Sequence, residues 1–267
     1  MDVLLIGFGA IAREVLKLIS PGEALNITGV LVRPSRIEEV RAALVGRDIE
    51  VVSAIDDLVT TPQLVAECAG HSAVRENGAN ILRRGIDFLV ISVGAIADQR
   101  LYKELTTAAE VGNAKLIFAA GAVAGADALA AAKIGGLDNV TYTSRKPPGA
   151  WKGTVAEKVC DLDQINTEVV LYDGNAVDAA TRYPQNANVA ATIALAGAGF
   201  DHTQVRLIAD PDAGGNIHQI SARGMFGAFN IEIRGKPLPD NPKTSTLAAH
   251  SVVAEILRRG GPVEIGG

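Results

Sequence analysis

Apolar segments alternate with amphipathic ones through the first 120 residues of the chain. Short continuous apolar runs, such as DVLLIGFG at 2–9 and DFLVISVG at 87–94, are typical of strands covered on both faces. Between them lie segments with helical spacing, among them AIAREVLKLIS at 10–20. Strands and helices that alternate in this way predict a parallel sheet with helical crossovers. We therefore expect a Rossmann-type, doubly wound α/β domain over 1–120.

The pattern changes after Gly121. Later strands alternate apolar and polar residues and are joined by short turns, such as GMFG at 224–227. Helical stretches interrupt them, so we expect a second, α+β domain with a mainly antiparallel sheet over 121–240. The remaining residues, 241–267, predict a C-terminal helix that packs back at the domain junction. Its start is predicted from Asn241 as N-cap and the following proline as first helical residue.

Composition and charge narrow the class of protein. The 267 residues carry a formal net charge of −5, whereas a nucleic-acid partner normally requires a basic stripe. No run of 18 apolar residues occurs and the start lacks a signal-peptide pattern, so no membrane partner is expected. Cys68 and Cys160 stand apart from each other and from metal-ligand spacings. They indicate reduced thiols in a cytoplasmic protein without a metal site.

The clearest chemical motif is the first strand–helix turn, GFGAIA at 7–12. Its spacing fits G-x-G-x-x-G/A, the dinucleotide-binding pattern. The first glycine allows the tight turn, the second leaves room for the pyrophosphate, and Ala12 permits close helix packing. A packing turn without a ligand is the alternative interpretation. The residues assigned to the cofactor from this turn are Gly7, Gly9, Ala10 and Ile11.

Other strand ends extend the predicted cofactor site. The second strand ends in VLVRPSR, with Arg33, Ser35 and Arg36 where an NAD-specific site usually carries an acid. Cations and a hydroxyl suit a 2′-phosphate, so use of NADP, or of both cofactors, is predicted; two solvated arginines are the alternative. Ser92 and Gly94 end a central strand and are predicted to line the nicotinamide ribose.

Basic and hydroxyl side chains further along the chain suggest an anionic substrate. Lys243, Thr244 and Ser245 would occupy the first turn of the last helix, and a helix N-terminus favours a carboxylate. Arg145 and Lys146, near the end of the predicted strand NVTYTSRKP, are further candidates. A solvated surface charge is the alternative interpretation of each basic residue.

His218 shares one face of a predicted strand, within GGNIHQISARG, with Ile220 and Ala222. A lone histidine on an apolar face is usually a hydrogen-bonded core residue. The alternative is a catalytic residue, because the ordinary pKa of histidine lies near neutrality and suits a general base.

Several motifs run in order through nearly the whole chain, and the most specific lie within YPQNANVAAT at 183–192, NIHQISARGMFG at 216–227 and NPKTS at 241–245. In these motifs the chain resembles the L-aspartate dehydrogenase family. The resemblance implies oxidative deamination of L-aspartate with NAD or NADP. The product would be iminosuccinate, which water converts to oxaloacetate and ammonia, and the imine could supply pyridine nucleotide biosynthesis. The family's active-site histidine falls on His218. Its cofactor contacts fall on Ala122 and Asn188.

Alternatives of two kinds stay open at this stage. Homoserine dehydrogenases and dihydrodipicolinate reductases are oxidoreductases of similar architecture, and activity with each substrate would distinguish them. A non-catalytic NADP-binding sensor would need the same N-terminal domain but would show no turnover. Strands of the second domain could pair across subunits, and on that ground a homodimer is expected.

Overall fold

The computed structural model describes residues 1–20, 22, 25–184, 187–239 and 241–262, with only the backbone of 242 and 243. The chain divides into two compact units. The first comprises Met1–Ala119 together with the C-terminal segment that starts at Ala248, and the second comprises Ala120–Leu247.

The first unit contains a six-stranded sheet in which every neighbouring pair is parallel. Its strands are β1 (Asp2–Ile6), β2 (Asn26–Leu31), β3 (Glu50–Val52), β4 (Leu64–Glu67), β5 (Asp87–Val90) and β6 (Leu116–Phe118). The helices that follow them are α1 (Ala10–Leu18), α2 (Ile37–Ala43), α3 (His71–Arg83) and α4 (Gln99–Gly112). The strand order is β3-β2-β1-β4-β5-β6, the doubly wound order of a Rossmann sheet. The predicted α/β fold is confirmed, and the order reverses between β1 and β4.

The second unit contains a five-stranded sheet in the order β11-β10-β7-β9-β8. Its strands are β7 (Leu137–Lys146), β8 (Val169–Asn175), β9 (Thr203–Ala209), β10 (Asn216–Gly224) and β11 (Gly227–Gly235). Its helices are α5 (Ala126–Gly135), α6 (Ala176–Arg182) and α7 (Ala187–Ala196). Only β7 and β9 run parallel, so the predicted mainly antiparallel sheet is confirmed. The predicted turn at 224–227 joins β10 and β11, and Gly227 has a φ of +110°, which favours glycine.

Residues 241–245 form a strand, and the predicted helix start at Asn241 is wrong. Strand β12 (Pro237–Leu238) pairs antiparallel with β13 (Asn241–Ser245), and α8 (Thr246–Gly260) begins only after that hairpin. The Thr246 amide donates to the Lys236 carbonyl at 2.9 Å and extends the pairing. Proline fits the start of a helix or an edge strand equally well, because neither position needs its missing N–H.

Helix α8 packs on the first unit. Val252 and Ile256 are fully buried with Val3 and Leu5 of β1 and Val15 of α1. Burial of each such aliphatic side chain is worth about 1.5–3 kcal/mol, so this contact anchors the C-terminal helix to the sheet. Within the part of the chain that the structure describes, no helix is both long and apolar enough to span a bilayer.

Candidate active site

A cavity of about 230 Å³ lies beside the turn between β1 and α1. Gly7 and Gly9 line it, together with Arg33 and Arg36 after β2 and Ala69 after β4. These loops flank the point at which the strand order reverses, where doubly wound sheets bind their ligands. A larger cavity of about 570 Å³ lies beside α2 and β3 at the sheet edge and contains no predicted site residue. We therefore locate the cofactor site by its position on the sheet rather than by cavity size.

The glycine turn fits a dinucleotide. Gly7 has a φ of +94°, and a Cβ there would lie 2.8 Å from the Cβ of Ala69. A Cβ on Gly9 would have no neighbour closer than 3.9 Å, so its front is open. The Arg13 amide donates to the Gly9 carbonyl at 3.0 Å as the first bond of α1. The amides of residues 10–12 therefore have no acceptor inside the helix and can receive a phosphate.

The end of β2 presents cations and no acid to this cavity. Arg33 is exposed, whereas Arg36 donates to both carboxylate oxygens of Glu39, at 3.1 and 2.6 Å. These bonds lower the pKa of the Glu39 carboxyl, and the charge of Arg13 adds to the effect. Arg36 is thus already paired with a carboxylate, and Arg33 is the arginine better placed to bind a 2′-phosphate.

Glu67 is a fully buried carboxylate at the end of β4 that sequence reasoning did not single out. It accepts hydrogen bonds from the amides of Ala69, Gly70 and Ser92, at 2.7, 2.6 and 3.0 Å. The Ser92 hydroxyl donates a fourth, at 3.0 Å. Burial raises the pKa of Glu67, and these bonds oppose that rise. Ser92, a predicted cofactor residue, is therefore fixed at the exit of β5, and Gly94 follows it in a buried turn.

His218 is buried in β10, with only 4% of its surface exposed. Its Nδ1 lies 2.8 Å from the hydroxyl of Tyr142 in β7, and the two rings are stacked with centroids 6.0 Å apart. The strand register places His218 opposite Ser144, so Tyr142, Ser144 and Lys146 share its face of the sheet. The predicted alternation of His218, Ile220 and Ala222 on one face is confirmed.

Burial and a neighbouring cation change the acid–base chemistry of this face. Burial lowers the pKa of Lys146 to about 8, and its Nζ lies 5.2 Å from the centroid of the Trp151 ring. The pKa of His218 is lowered to about 4, mainly by burial and to a smaller extent by the charge of Lys146. The expected pKa near neutrality is therefore wrong for the free protein, and the imidazole is neutral at pH 7.

Arg145 lies on the opposite face of the sheet from His218. It pairs in register with Ile217 and Ile208, whose side chains alternate away from the histidine. Its guanidinium forms ion pairs with Glu168 and, at 3.7 Å, with Asp210. Arg145 was predicted to bind the substrate, but the structure does not bring it to the face of His218, because successive strand residues point to opposite faces. Lys146, the next residue of β7, lies on the face of His218 instead.

Lys243, Thr244 and Ser245 belong to β13, so their predicted position in the first turn of the last helix is wrong. Helix α8 begins at Thr246, and of the three only Ser245 directly precedes it. Asn241 donates through Nδ2 to the Thr244 hydroxyl at 2.9 Å. Ser245 is buried, and its hydroxyl has no hydrogen-bond partner among the described residues. The side chain of Lys243 lies outside the described part of the structure.

Ala122 and Asn188 both belong to the second unit. Ala122 is buried in the loop before α5, and Asn188 lies in the first turn of α7. The Asn188 carbonyl accepts the Thr192 hydroxyl at 3.0 Å. Their contact with a cofactor stays a prediction. Over the described ranges, no three His, Cys, Asp or Glu side chains cluster so as to hold a metal ion.

Comparison with known proteins identifies the family. The model of the aspartate dehydrogenase C-terminal domain matches residues 127–259, and that of the homoserine dehydrogenase NAD-binding domain matches 7–119. L-aspartate dehydrogenases from Ralstonia nicotianae and Pseudomonas aeruginosa are each 46% identical to this chain over 267 residues. Each comparison covers 99% of this chain and all of the relative. The chain belongs to the L-aspartate dehydrogenase family.

A solved structure from the L-aspartate dehydrogenase family shares this architecture. The crystal structure of aspartate dehydrogenase from Thermotoga maritima superposes with a TM-score of 0.76 at 25% identity, covering 100% of this chain and 99% of that one. The predicted resemblance, the NAD(P)-dependent oxidoreductase class and the choice of NAD or NADP as cofactor are confirmed.

Proposed function

We propose that this member of the family catalyses the oxidative deamination of L-aspartate, with His218 as the proton acceptor. The observation that carries the proposal is the neutral, buried imidazole held by Tyr142 on the same sheet face as the Lys146 cation. The immediate product would be iminosuccinate, which water converts to oxaloacetate and ammonia. The metabolic role that we propose for the enzyme is to supply this imine to pyridine nucleotide biosynthesis.

Proton removal must accompany oxidation at Cα. The substrate nitrogen can form the C=N bond only with a free lone pair, so its ammonium group loses a proton. Bound NAD(P) supplies the hydride acceptor. For Nε2 of His218 to take the proton, Nδ1 must carry the ring hydrogen and donate it to the Tyr142 oxygen. Burial raises the pKa of Tyr142, so its hydroxyl stays protonated beside the ring.

An anionic substrate would tune this base. Lys146 is the cation on the face of His218 and is the group that we assign to one substrate carboxylate. A carboxylate bound there offsets the Lys146 charge and raises the pKa of His218 above the value in the free protein. The buried, unpaired hydroxyl of Ser245 and the hydroxyl of Thr244 are further candidate donors, and Lys243 stays a prediction.

The cofactor site in this proposal keeps the predicted residues. The glycine turn and its free helix amides would hold the pyrophosphate, and Arg33 would take the 2′-phosphate of NADP. The predicted cofactor contacts are Gly7, Gly9, Ala10, Ile11, Arg33, Ser92, Gly94, Ala122 and Asn188.

We also propose a homodimer located in the cytoplasm. Strand β11 is a nine-residue edge strand, and edge strands readily pair with another chain. The hairpin before it exposes Met225 and Phe226, which supports an interface at this edge. Both cysteines, Cys68 and Cys160, are free thiols, in keeping with a reducing compartment.

A spectrophotometric screen of amino acids with NAD and NADP tests the proposed activity. We expect absorbance at 340 nm to rise with L-aspartate and to stay flat with homoserine. A preference for another amino acid would show that L-aspartate is not the main substrate. Cofactor binding without turnover would favour a non-catalytic sensor.

A further inference from the structure

Glu67 is a buried carboxylate that the proposed chemistry leaves unused. Its Oε1 accepts from Ala69, Gly70 and the Ser92 hydroxyl, and its Oε2 accepts from the Ser92 amide. Three of these four donors are backbone amides, which cannot become acceptors. Two acceptor oxygens at this point satisfy all of them.

The donors belong to two separate loops of the first unit. Ala69 and Gly70 form the turn after β4, and Ala69 is part of the cofactor cavity wall. Ser92 follows β5, 25 residues further along the chain than Glu67. The glutamate therefore joins two strand exits at the edge of the sheet where the dinucleotide is expected.

The turn after β4 packs tightly against the glycine turn. A Cβ on Gly7 would come within 2.8 Å of the Ala69 Cβ, so the glycine turn and the turn after β4 are in close contact. Gly70 has a φ of +122°, a conformation that glycine adopts readily and other residues rarely do. A shift of Ala69, which lines the cavity, would therefore change the cavity wall.

We propose that Glu67 is a positioning residue of the cofactor site, whose carboxylate ties the turn after β4 to Ser92 and so fixes two loops that face the dinucleotide. Its effect is on cofactor affinity and is independent of which amino acid the enzyme oxidises. A wild-type protein that binds NADP but fails to oxidise aspartate would sink the proposed function and leave this inference standing.

The substitution Glu67→Gln tests the proposal with nearly the same shape. In either orientation of the amide, its NH2 group faces at least one backbone N–H, so at least one donor loses its acceptor. The freed N–H can regain a partner only if its turn moves, and the turn must move back when the dinucleotide binds. We therefore expect the Kd for NADP, measured by calorimetry well below the melting temperature, to rise about tenfold, which corresponds to the cost of one unsatisfied buried donor. Glu104→Gln, the same change at an exposed position of α4, should leave the Kd unchanged.

Amide hydrogen exchange gives a readout that does not depend on activity or on bound cofactor. In Glu67→Gln the amides of Ala69, Gly70 and Ser92 should exchange faster, whereas that of Leu89 in β5 should keep its protection. A variant with a lower melting temperature but a wild-type Kd for NADP would overturn the proposal and leave Glu67 a purely structural residue.

Glu67→Asp covers the case in which the glutamine variant fails to fold. It keeps the charge but is one methylene shorter, so it cannot reach both the turn after β4 and Ser92. We expect a Kd for NADP several-fold above that of the wild type, and an unchanged Kd would again contradict the proposal.

Discussion

Acid sensitivity of the second unit should depend on His218. In the folded protein its pKa is about 4, against 6.5 for an unperturbed histidine. The unfolded chain therefore binds a proton that the folded chain excludes, so this residue lowers stability as the pH falls from 6.5 to 4. At about 1.4 kcal/mol per pH unit the full effect is about 3 kcal/mol, and about 2 kcal/mol is lost between pH 7.5 and pH 5.

His218→Asn removes this titration while keeping a polar partner for Tyr142. Urea unfolding at pH 7.5 and pH 5, followed through Trp151, the single and fully buried tryptophan, measures the effect in the same unit. We expect the wild type to lose about 2 kcal/mol more than the variant on acidification. Glu67 and other carboxyls titrate in both proteins, so their effects cancel in the difference. An equal loss in the two proteins would refute the assigned pKa.

Three further substitutions test the geometry of the site. Tyr142→Phe removes the acceptor for the Nδ1 hydrogen, so kcat should fall about tenfold in steady-state assays while the Kd of the cofactor is unchanged. Arg33→Ala should raise the KM for NADP about tenfold and that for NAD less than about twofold, and equal changes would exclude a 2′-phosphate contact. Arg145→Ala should change kcat and the KM for aspartate less than about twofold, because the guanidinium pairs with Glu168 on the other face. A large loss of activity in that variant would return Arg145 to the site.

The architecture was predictable because a strand that is buried on both faces is apolar along its whole length, and this pattern is visible in the sequence. The first sheet is built from continuous apolar runs, and β10 alternates buried and more exposed residues from His218 to Arg223. The turn at Gly7 and Gly9 was recognisable because local geometry requires glycine at Gly7, where φ is positive and a Cβ would be too close to Ala69.

Pairing between distant strands could not be predicted from the sequence alone. Arg145 and Lys146 are adjacent in sequence, and only the register of β7 against β10 decides which of them shares the face of His218. The NPKTS segment offered the same proline and hydroxyl residues to a helix start and to an edge strand. The partner strand β12 decides between them, and at two residues it is too short to show a pattern.

Electrostatics and long-range hydrogen bonds were the least accessible features. The depressed pKa of His218 depends on burial and on Lys146, which come together only in the folded sheet. In the sequence, Glu67 is an acidic residue at the end of an apolar strand, and this position alone could have marked it as a candidate site residue. Its partner Ser92, however, follows a different strand, so the hydrogen bond between them could not be predicted from the sequence.

The activity of His218→Ala with L-aspartate is the most direct test of the account. The kcat should fall by at least about 100-fold, the smallest effect typical of a lost general base, while the Kd for NADP stays at the wild-type value. A variant that binds NADP normally and turns over aspartate at a near wild-type kcat would contradict the assignment of proton transfer to this residue.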